Sequence, residues 1–403
     1  MRKWRKTEYM DGVNMSWQRI EEELRSINER GLLREFRYLE SAQMPRVRIR
    51  GKDVLLLSSN NYLGLCNDER LKIAAKEAID RYGVGSGGSR LTTGSYDIHR
   101  RLEQVIADFK QTEAAMLFNT GYMANVGTIS GIAGKDWVIF SDSLNHASII
   151  DGCRLSGAKT LIYRHADPED LEEKILRNRS MPGLVVTDGV FSMDGDIAPV
   201  PELAEIAHRF GLLLMVDDAH ATGVLGAQGG GTSEYFRLQD VVDIQMGTLS
   251  KSLAGEGGFV AGKKLLIDYL KNRARSFIFS TAVSPQMVAV SIRSIEIMMQ
   301  DTSARETLME NSRWFRQELR QAGFQVPDGI TPIIPVIIGD ALQTLQFSLK
   351  LLEKGIQISA VRPPVVAVGT SRLRITLMAT HTREDLSFAV ETIKSVGSRL
   401  GVI

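Results

Sequence analysis

Cysteine is scarce in this chain: there are two in 403 residues, Cys66 and Cys153, with no Cys-x-x-Cys pair and no cluster with histidine. That spacing gives no basis for a disulfide framework or a structural zinc site, and no metal is expected. Charge of one sign is lacking as well. Lys plus Arg number 49 against 48 Asp plus Glu, a net charge of +1, so no bulk field draws the protein to nucleic acid or to an anionic membrane. Any anion must be held by a local pocket. No apolar run reaches the roughly 18 to 20 residues of a membrane helix, and the basic start MRKWRKTEYMDGVN has no apolar stretch behind it, so the expected location is the cytoplasm. There is also no Pro/Ser/Gly-rich linker and no repeat of fixed period. What is present is ordinary globular material, 43% hydrophobic and 24% charged, enough for a large core.

The first periodic element opens at Met15-Ser16-Trp17-Gln18, with apolar Ile20, Leu24 and Ile27 at helical spacing and Ser16 as an N-cap candidate; residues 1–14 before it are read as dispensable or as a misplaced start. From Asn60 to Ser284, short β-branched runs alternate with amphipathic stretches: Glu113–Phe118, Trp137–Phe140, Thr160–Tyr163, Leu184–Thr187, Leu212–Val216, Val242–Met246 and Gly258–Ala261. Strands alternating with helices argue an α/β fold, a mostly parallel sheet covered on both faces. After Pro285 the pattern becomes a long helix from Gln286 to Ala322 with a break near Asp301, strands Ile333–Ile338, Ile356–Ser359 and Leu373–Leu377, and a closing helix Arg383–Leu400. The chain therefore reads as an N-terminal helix and strand segment over 1–59, a large domain over 60–285 and a smaller α+β domain over 286–403.

The most informative segment is Val216-Asp217-Asp218-Ala219-His220, which follows the apolar run Leu212–Met215. Ligands of a parallel sheet sit beyond the carboxyl ends of its strands, which puts these acids and His220 at the binding edge. Two adjacent acids at a strand end are costly unless a cation waits for them. After the next strand, Gly247-Thr248-Leu249-Ser250-Lys251-Ser252 places a lysine among small residues, a confined setting in which desolvation frees a nucleophilic amine for Schiff-base chemistry. An Asp from one strand and a Lys from another are the two attachments pyridoxal phosphate needs, one at the pyridine nitrogen and one at the aldehyde. Asn119-Thr120-Gly121-Tyr122 lies between a strand and a helical stretch, so the Gly121 and Tyr122 amides suit a phosphate at a helix N-terminus. His146, after the strand Trp137–Phe140, stands at the same edge, where an imidazole can stack on a planar cofactor and polarise a carbonyl.

Four blocks together, Asn-His-Ala-Ser-Ile-Ile-Asp-Gly at 145–152, Gly-Val-Phe-Ser-Met-Asp-Gly-Asp at 189–196, Val-Asp-Asp-Ala-His at 216–220 and Thr-Leu-Ser-Lys at 248–251, resemble the α-oxoamine synthases. The resemblance extends over nearly the whole chain from Met15 and includes Ser59–Leu65 and Gly85–Arg90. It implies a fold-type-I acyltransferase dependent on pyridoxal 5′-phosphate, working as a homodimer with shared active sites. By the same resemblance Lys251 is the Schiff-base lysine, Asp217 meets the pyridine nitrogen, His146 stacks over the ring, and His220 with Ser192 lies near the phenolic oxygen. Gly121, Tyr122 and Thr248 would hold the phosphate, with Thr281 supplied by the partner subunit.

Alternation puts Arg372 and Arg374 on one face of a strand, and a guanidinium grips an amino-acid carboxylate bidentately. The resemblance implies Arg374 for that role, with Arg34 and Asn60 lining the site. It implies a decarboxylative Claisen condensation between an amino acid and an acyl thioester carried by coenzyme A or acyl carrier protein. Gly88–Gly94 and the segment from Arg362 to Leu377 look most like the branch that joins L-alanine to a pimeloyl thioester. The nearest rival branch joins glycine to an acetyl group, and an aminotransferase of the same fold is the further alternative. One departure stands out: where the branch carries Pro-Thr-Val-Pro, this chain reads Pro364-Val365-Val366-Ala367, which removes a hydroxyl from the acyl or carboxylate region.

Overall fold

A computed structural model describes residues 15–30, 32–33, 36–178 and 181–403. Residues 1–14 and Arg34 lie outside the described residues. The helix Met15–Glu29 presents no buried residue and is followed by a hairpin of β1 (Arg46–Ile49) and β2 (Lys52–Leu56).

The next seven strands form one sheet: β3 (Ala114–Phe118), β4 (Val138–Asp142), β5 (Lys159–Tyr163), β6 (Gly183–Asp188), β7 (Leu213–Asp217), β8 (Ile244–Thr248) and β9 (Gly258–Gly262). Their order is β3-β9-β8-β7-β6-β4-β5, with β9 alone running antiparallel to its neighbours. The near-continuous apolar runs follow from burial on both faces. Leu184, Val186 and Met215 enter the core on one face, beneath the helices Gly121–Ile132 and Ala147–Ser156, while Val185, Leu214 and Val216 enter the core on the other. The mostly parallel sheet expected from the alternating pattern is the observed one. Each strand lies within two residues of the sequence reading.

Past Pro285 the expected helix is two, Pro285–Gln300 and Ser303–Gln321, broken at Asp301 as the sequence suggested. A three-stranded antiparallel sheet follows, made of β10 (Ile333–Gly339) and two strands from further along the chain. The single strand expected over Ile356–Ser359 is instead β11 (Ile356–Gln357) and β12 (Ser359–Val361), which belong to different sheets. β11 pairs in parallel with β2, and β12 pairs with β13 (Ser371–Thr376), itself paired with β10. The chain crosses from one sheet to the other at Ile358, whose side chain is fully buried. β11 thereby ties the N-terminal hairpin to the C-terminal region. The helix Arg383–Arg399 closes the chain. One apolar core, including Leu55, Leu57, Phe315, Ile334, Ile375 and Leu386, runs beneath these elements. Among the described residues, no helix is long and apolar enough to cross a membrane.

Candidate active site

At the carboxyl edge of the sheet, β6 and β7 end side by side with Asp188 opposite Asp217. Successive strand residues face opposite ways, so the two adjacent acids of the sequence separate. Asp218 turns away to a fully buried ion pair, 3.0 Å from Lys110 Nζ, and also accepts the Thr232 hydroxyl proton; the cation that this strand end required is Lys110. Asp217 turns toward a cavity of about 250 Å³ lined by Gly121, Tyr122, His146, Ser192, His220, Thr248 and Lys251 among others.

Asp217 is almost wholly buried. Its Oδ2 accepts a hydrogen bond from Asn125 Nδ2 at 2.7 Å, and its Oδ1 accepts the Ala219 N–H at 2.9 Å. Asn125 Nδ2 donates a second bond to Ser148 Oγ at 2.8 Å, and Ser148 Oγ lies 2.7 Å from His146 Nδ1. His146 is the N-cap of its helix, its Nδ1 accepting the Ser148 N–H at 3.2 Å while its own N–H donates to Asp188 Oδ2 at 2.9 Å. Its ring is open to solvent at the cavity mouth. Burial of its inner edge holds the imidazole below its ordinary pKa, and the cation of Lys251 adds to this against the pull of Asp217. Asp188 is pushed well above the usual carboxylate range by burial and by the Asp217 charge beside it.

On the opposite wall, Lys251 Nζ lies 2.9 Å from His220 Nε2. Burial lowers the lysine to about 8, partly countered by Asp217 and Asp188; desolvation disfavours the ammonium form. His220 Nδ1 is 2.7 Å from the hydroxyl of Tyr62, itself fully buried and raised to about 12 by that burial. Arg374 Nη1 and Nη2 donate to Asn60 Oδ1 at 3.4 and 3.3 Å, and its Nε donates to the Ser192 carbonyl. Arg372, two residues away, is neutralised by Asp194. Arg374 thus spends its hydrogen bonds on neutral oxygens and keeps its charge for a visiting anion. It also borders a second cavity of about 450 Å³ walled by Leu32, Met193 and the segment Ser359–Val365 with its two prolines.

The third wall is a helix start. Thr120 Oγ1 caps Gly121–Ile132 by accepting the Met123 N–H at 3.0 Å, which leaves the Gly121 and Tyr122 amides, without partners inside the helix, facing the cavity. The Tyr122 side chain points elsewhere, to Asp151. A Cβ on Gly258 would meet the Gly121 Cα at 2.6 Å, so glycine at this point of β9 is what lets the helix start lie against the strand. Thr248, opposite Gly258 on β8, places its hydroxyl 2.9 Å from Ser250 Oγ.

The structure therefore brings Lys251, Asp217, His146, His220, Ser192, Gly121, Tyr122 and Thr248 to one cavity, with Asn60 and Arg374 joined to it through Ser192 and Tyr62. Thr281 is not among the lining residues; it is exposed, with its carbonyl accepting from Asn119 Nδ2 at 2.6 Å. Sequence reasoning missed Asn125, Ser148, Asp188, Tyr62 and Ser250. Asn125 lies one helical turn beyond Gly121, and Asp188 ends its strand just as Asp217 does, so the rules that found their neighbours would have found both.

A buried acid and a desolvated amine facing one slot, an open imidazole face and a helix start define the class: an enzyme built around pyridoxal 5′-phosphate. The donor set fits that cofactor. Asp217 offers an anionic acceptor at the bottom of the slot, the amides of Gly121 and Tyr122 with the Thr248 and Ser250 hydroxyls form an anion cradle, and Lys251 supplies the amine. The model of the family described as aminotransferase class I and II matches residues 52–393. An 8-amino-7-oxononanoate synthase of Lysinibacillus sphaericus is 52% identical over 387 residues, covering 96% of this chain and 99% of that protein. The 8-amino-7-oxononanoate synthase 2 of Bacillus subtilis is 48% identical over 389 residues, with 96% and 99% covered. A solved serine palmitoyltransferase variant from S. paucimobilis, with a bound PLP-myriocin aldimine, superposes with a TM-score of 0.92 at 34% identity, covering 96% of this chain and 99% of that one. The solved 8-amino-7-oxononanoate synthase of Francisella tularensis has a TM-score of 0.75 at 28% identity, covering 86% and 98%. The chain belongs to the aminotransferase class I and II family and, within it, to the α-oxoamine synthases of fold type I. Its cofactor is pyridoxal 5′-phosphate.

Proposed function

We propose that this chain, as a cytoplasmic homodimer, condenses L-alanine with a pimeloyl thioester to give 8-amino-7-oxononanoate, carbon dioxide and the free thiol. The observation that carries the reading is the pairing of a desolvated lysine with a cation kept free for a carboxylate, Lys251 and Arg374, on full-length likeness to relatives named for this reaction. The cofactor, when bound, supplies an electron sink conjugated with the substrate amine. Asp217 would hold the ring nitrogen, His146 would cover one ring face, His220 and Ser192 would face the phenolic oxygen, and Gly121, Tyr122, Thr248 and Ser250 would hold the phosphate. We assign Thr281 to the partner subunit's site, since its own cavity does not include it.

Arg374, with Asn60 beside it, binds and orients the alanine carboxylate, fixing which Cα bond faces Lys251. The Lys251 amine takes the Cα proton at Nζ as general base; a lysine lowered to about 8 is neutral often enough near physiological pH to do so. The new bond joins alanine Cα to the thioester carbonyl carbon, the thiolate leaves, the carboxylate departs as carbon dioxide, and a proton returns to Cα. The second cavity, beside Arg374, is the place for the acyl chain. Val365 on its wall gives that chain an apolar contact where the branch has a hydroxyl.

The test is steady-state specificity with L-alanine, glycine and serine against pimeloyl-CoA and acetyl-CoA. Thiol release that needs both L-alanine and pimeloyl-CoA supports the assignment. Higher kcat/KM with glycine and acetyl-CoA overturns it in favour of glycine acylation, and keto-acid formation without thioester consumption overturns it in favour of amino transfer.

A further inference from the structure

The hydrogen bonds around His146 have a single consistent direction. Asp217 and the Ala219 amide fix the carboxylate, so Asn125 must offer its amide nitrogen, not its oxygen, to Asp217 Oδ2. The same nitrogen donates to Ser148 Oγ at 2.8 Å. Asn125 Oδ1 is left buried without a partner; turning the amide over would set that oxygen against the Asp217 carboxylate and forfeit both bonds that Nδ2 donates. With its oxygen accepting from Asn125, the Ser148 hydroxyl has its own proton available for the imidazole, 2.7 Å away. The Ser148 backbone N–H, which can only donate, is aimed at the same His146 Nδ1.

We infer that Ser148 is a positioning residue, oriented by Asn125, that holds His146 as a neutral imidazole with its proton on Nε2. The inference rests on the proposed function, in which His146 covers one face of the cofactor ring. Two donors converge on Nδ1, so Nδ1 is an acceptor and the remaining ring proton sits on Nε2. Nε2–H is then a fixed donor for the thioester carbonyl oxygen as negative charge develops there, a contact that gains strength in the transition state. A histidine free to exchange tautomers would present that donor only part of the time. The charged groups acting on the ring come from the end of β7, Asp217, and from the turn after β8, Lys251, while Asp188 at the end of β6 takes the His146 backbone N–H. Burial already holds the ring below its ordinary pKa, so what the serine decides is which nitrogen carries the proton.

The test uses holoenzyme labelled with [15N]histidine, the His146 signals being identified by their loss in His146→Asn. The expected spectrum shows His146 as the Nε2–H tautomer from about pH 6 to pH 9. In Ser148→Ala only the longer backbone contact remains, so the spectrum should move toward mixed tautomers. kcat should fall roughly tenfold, with the KM for alanine nearly unchanged and the acidic limb of the pH profile displaced upward. Ser148→Thr keeps a hydroxyl donor and should restore both spectrum and profile, and Asn125→Ala should resemble Ser148→Ala. A wild-type His146 that is cationic or protonated on Nδ1 at neutral pH overturns the inference. So does a Ser148→Ala enzyme with an unchanged spectrum and pH profile, whatever its melting temperature. The expected tautomer in a protein inert toward alanine and pimeloyl-CoA overturns the assigned reaction and leaves the positioning role standing.

Discussion

Arg374 and Arg372 show how two like residues on one strand part in use. Asp194 neutralises Arg372, whereas the hydrogen bonds of Arg374 go to a carboxamide and a carbonyl. Removing Arg374 takes away a charge-assisted, two-pronged contact worth about 1.5–3 kcal/mol. Arg374→Ala should therefore raise the alanine KM by roughly 10- to 150-fold while pimeloyl-CoA saturation changes little; equal KM values for alanine in the two enzymes would move the carboxylate site elsewhere. Lys251 carries the pH consequence. Its folded pKa of about 8 lies below its ordinary 10.5, so between those values the unfolded chain binds the extra proton. The penalty of burying Lys251 is complete below about pH 8 and is relieved as pH rises toward 10.5. In cofactor-free protein, Lys251→Met should melt above wild type near neutral pH, with the gap closing at alkaline pH; a gap independent of pH would contradict the lowered lysine.

At the scale of elements, the strand ends were legible because they obey simple rules: an apolar run, then polar residues at the carboxyl edge, as in Leu213–Asp217 followed by His220. The direction of β9 was not legible. Five small and apolar residues, Gly258–Gly262, fit a buried strand of either direction, and only the pairing with β3 and β8 settles it. The split of β11 from β12 was hidden for a similar reason, since β-branched runs do not record which sheet they join. Gly258 is where the β9 placement reaches the site. Gly258→Ala would drive a methyl into the Gly121 backbone, displace the helix start and weaken retention of pyridoxal phosphate. Equilibrium dialysis should show at least a severalfold higher cofactor Kd, and unchanged retention would mean that the helix start is not the phosphate cradle.

For the whole molecule, the buried pair of Lys110 and Asp218 links the end of the helix Asp97–Lys110, the turn after β7 and the glycine-rich loop at Gly230. No local pattern announced it, because the partners stand 108 residues apart. Two adjacent acids at a strand end call for a cation, and because strand alternation sends Asp217 and Asp218 to opposite faces, Lys110 meets Asp218 and leaves Asp217 to the cavity. Lys110→Met should lower stability by about 3–5 kcal/mol, because it leaves a carboxylate buried without its counterion. Denaturant melts would check this, and Lys110→Met with Asp218→Asn together should recover part of the loss; a Lys110→Met protein as stable as wild type would show that water reaches Asp218.

That alternation also makes the position of the β7 backbone all-or-nothing. Shifting the strand by a single residue would either aim Asp218 at the vitamin-derived ring and strand Lys110 without an anion, or turn Asp217 to Lys110 and leave the ring without its acid, and both shifts would invert every apolar neighbour between the two helical layers. Insertions or deletions inside Leu213–Asp217 are thus excluded as routes to new chemistry, while the yellow colour of a freshly purified variant becomes a direct visual assay for whether this part of the chain has threaded correctly.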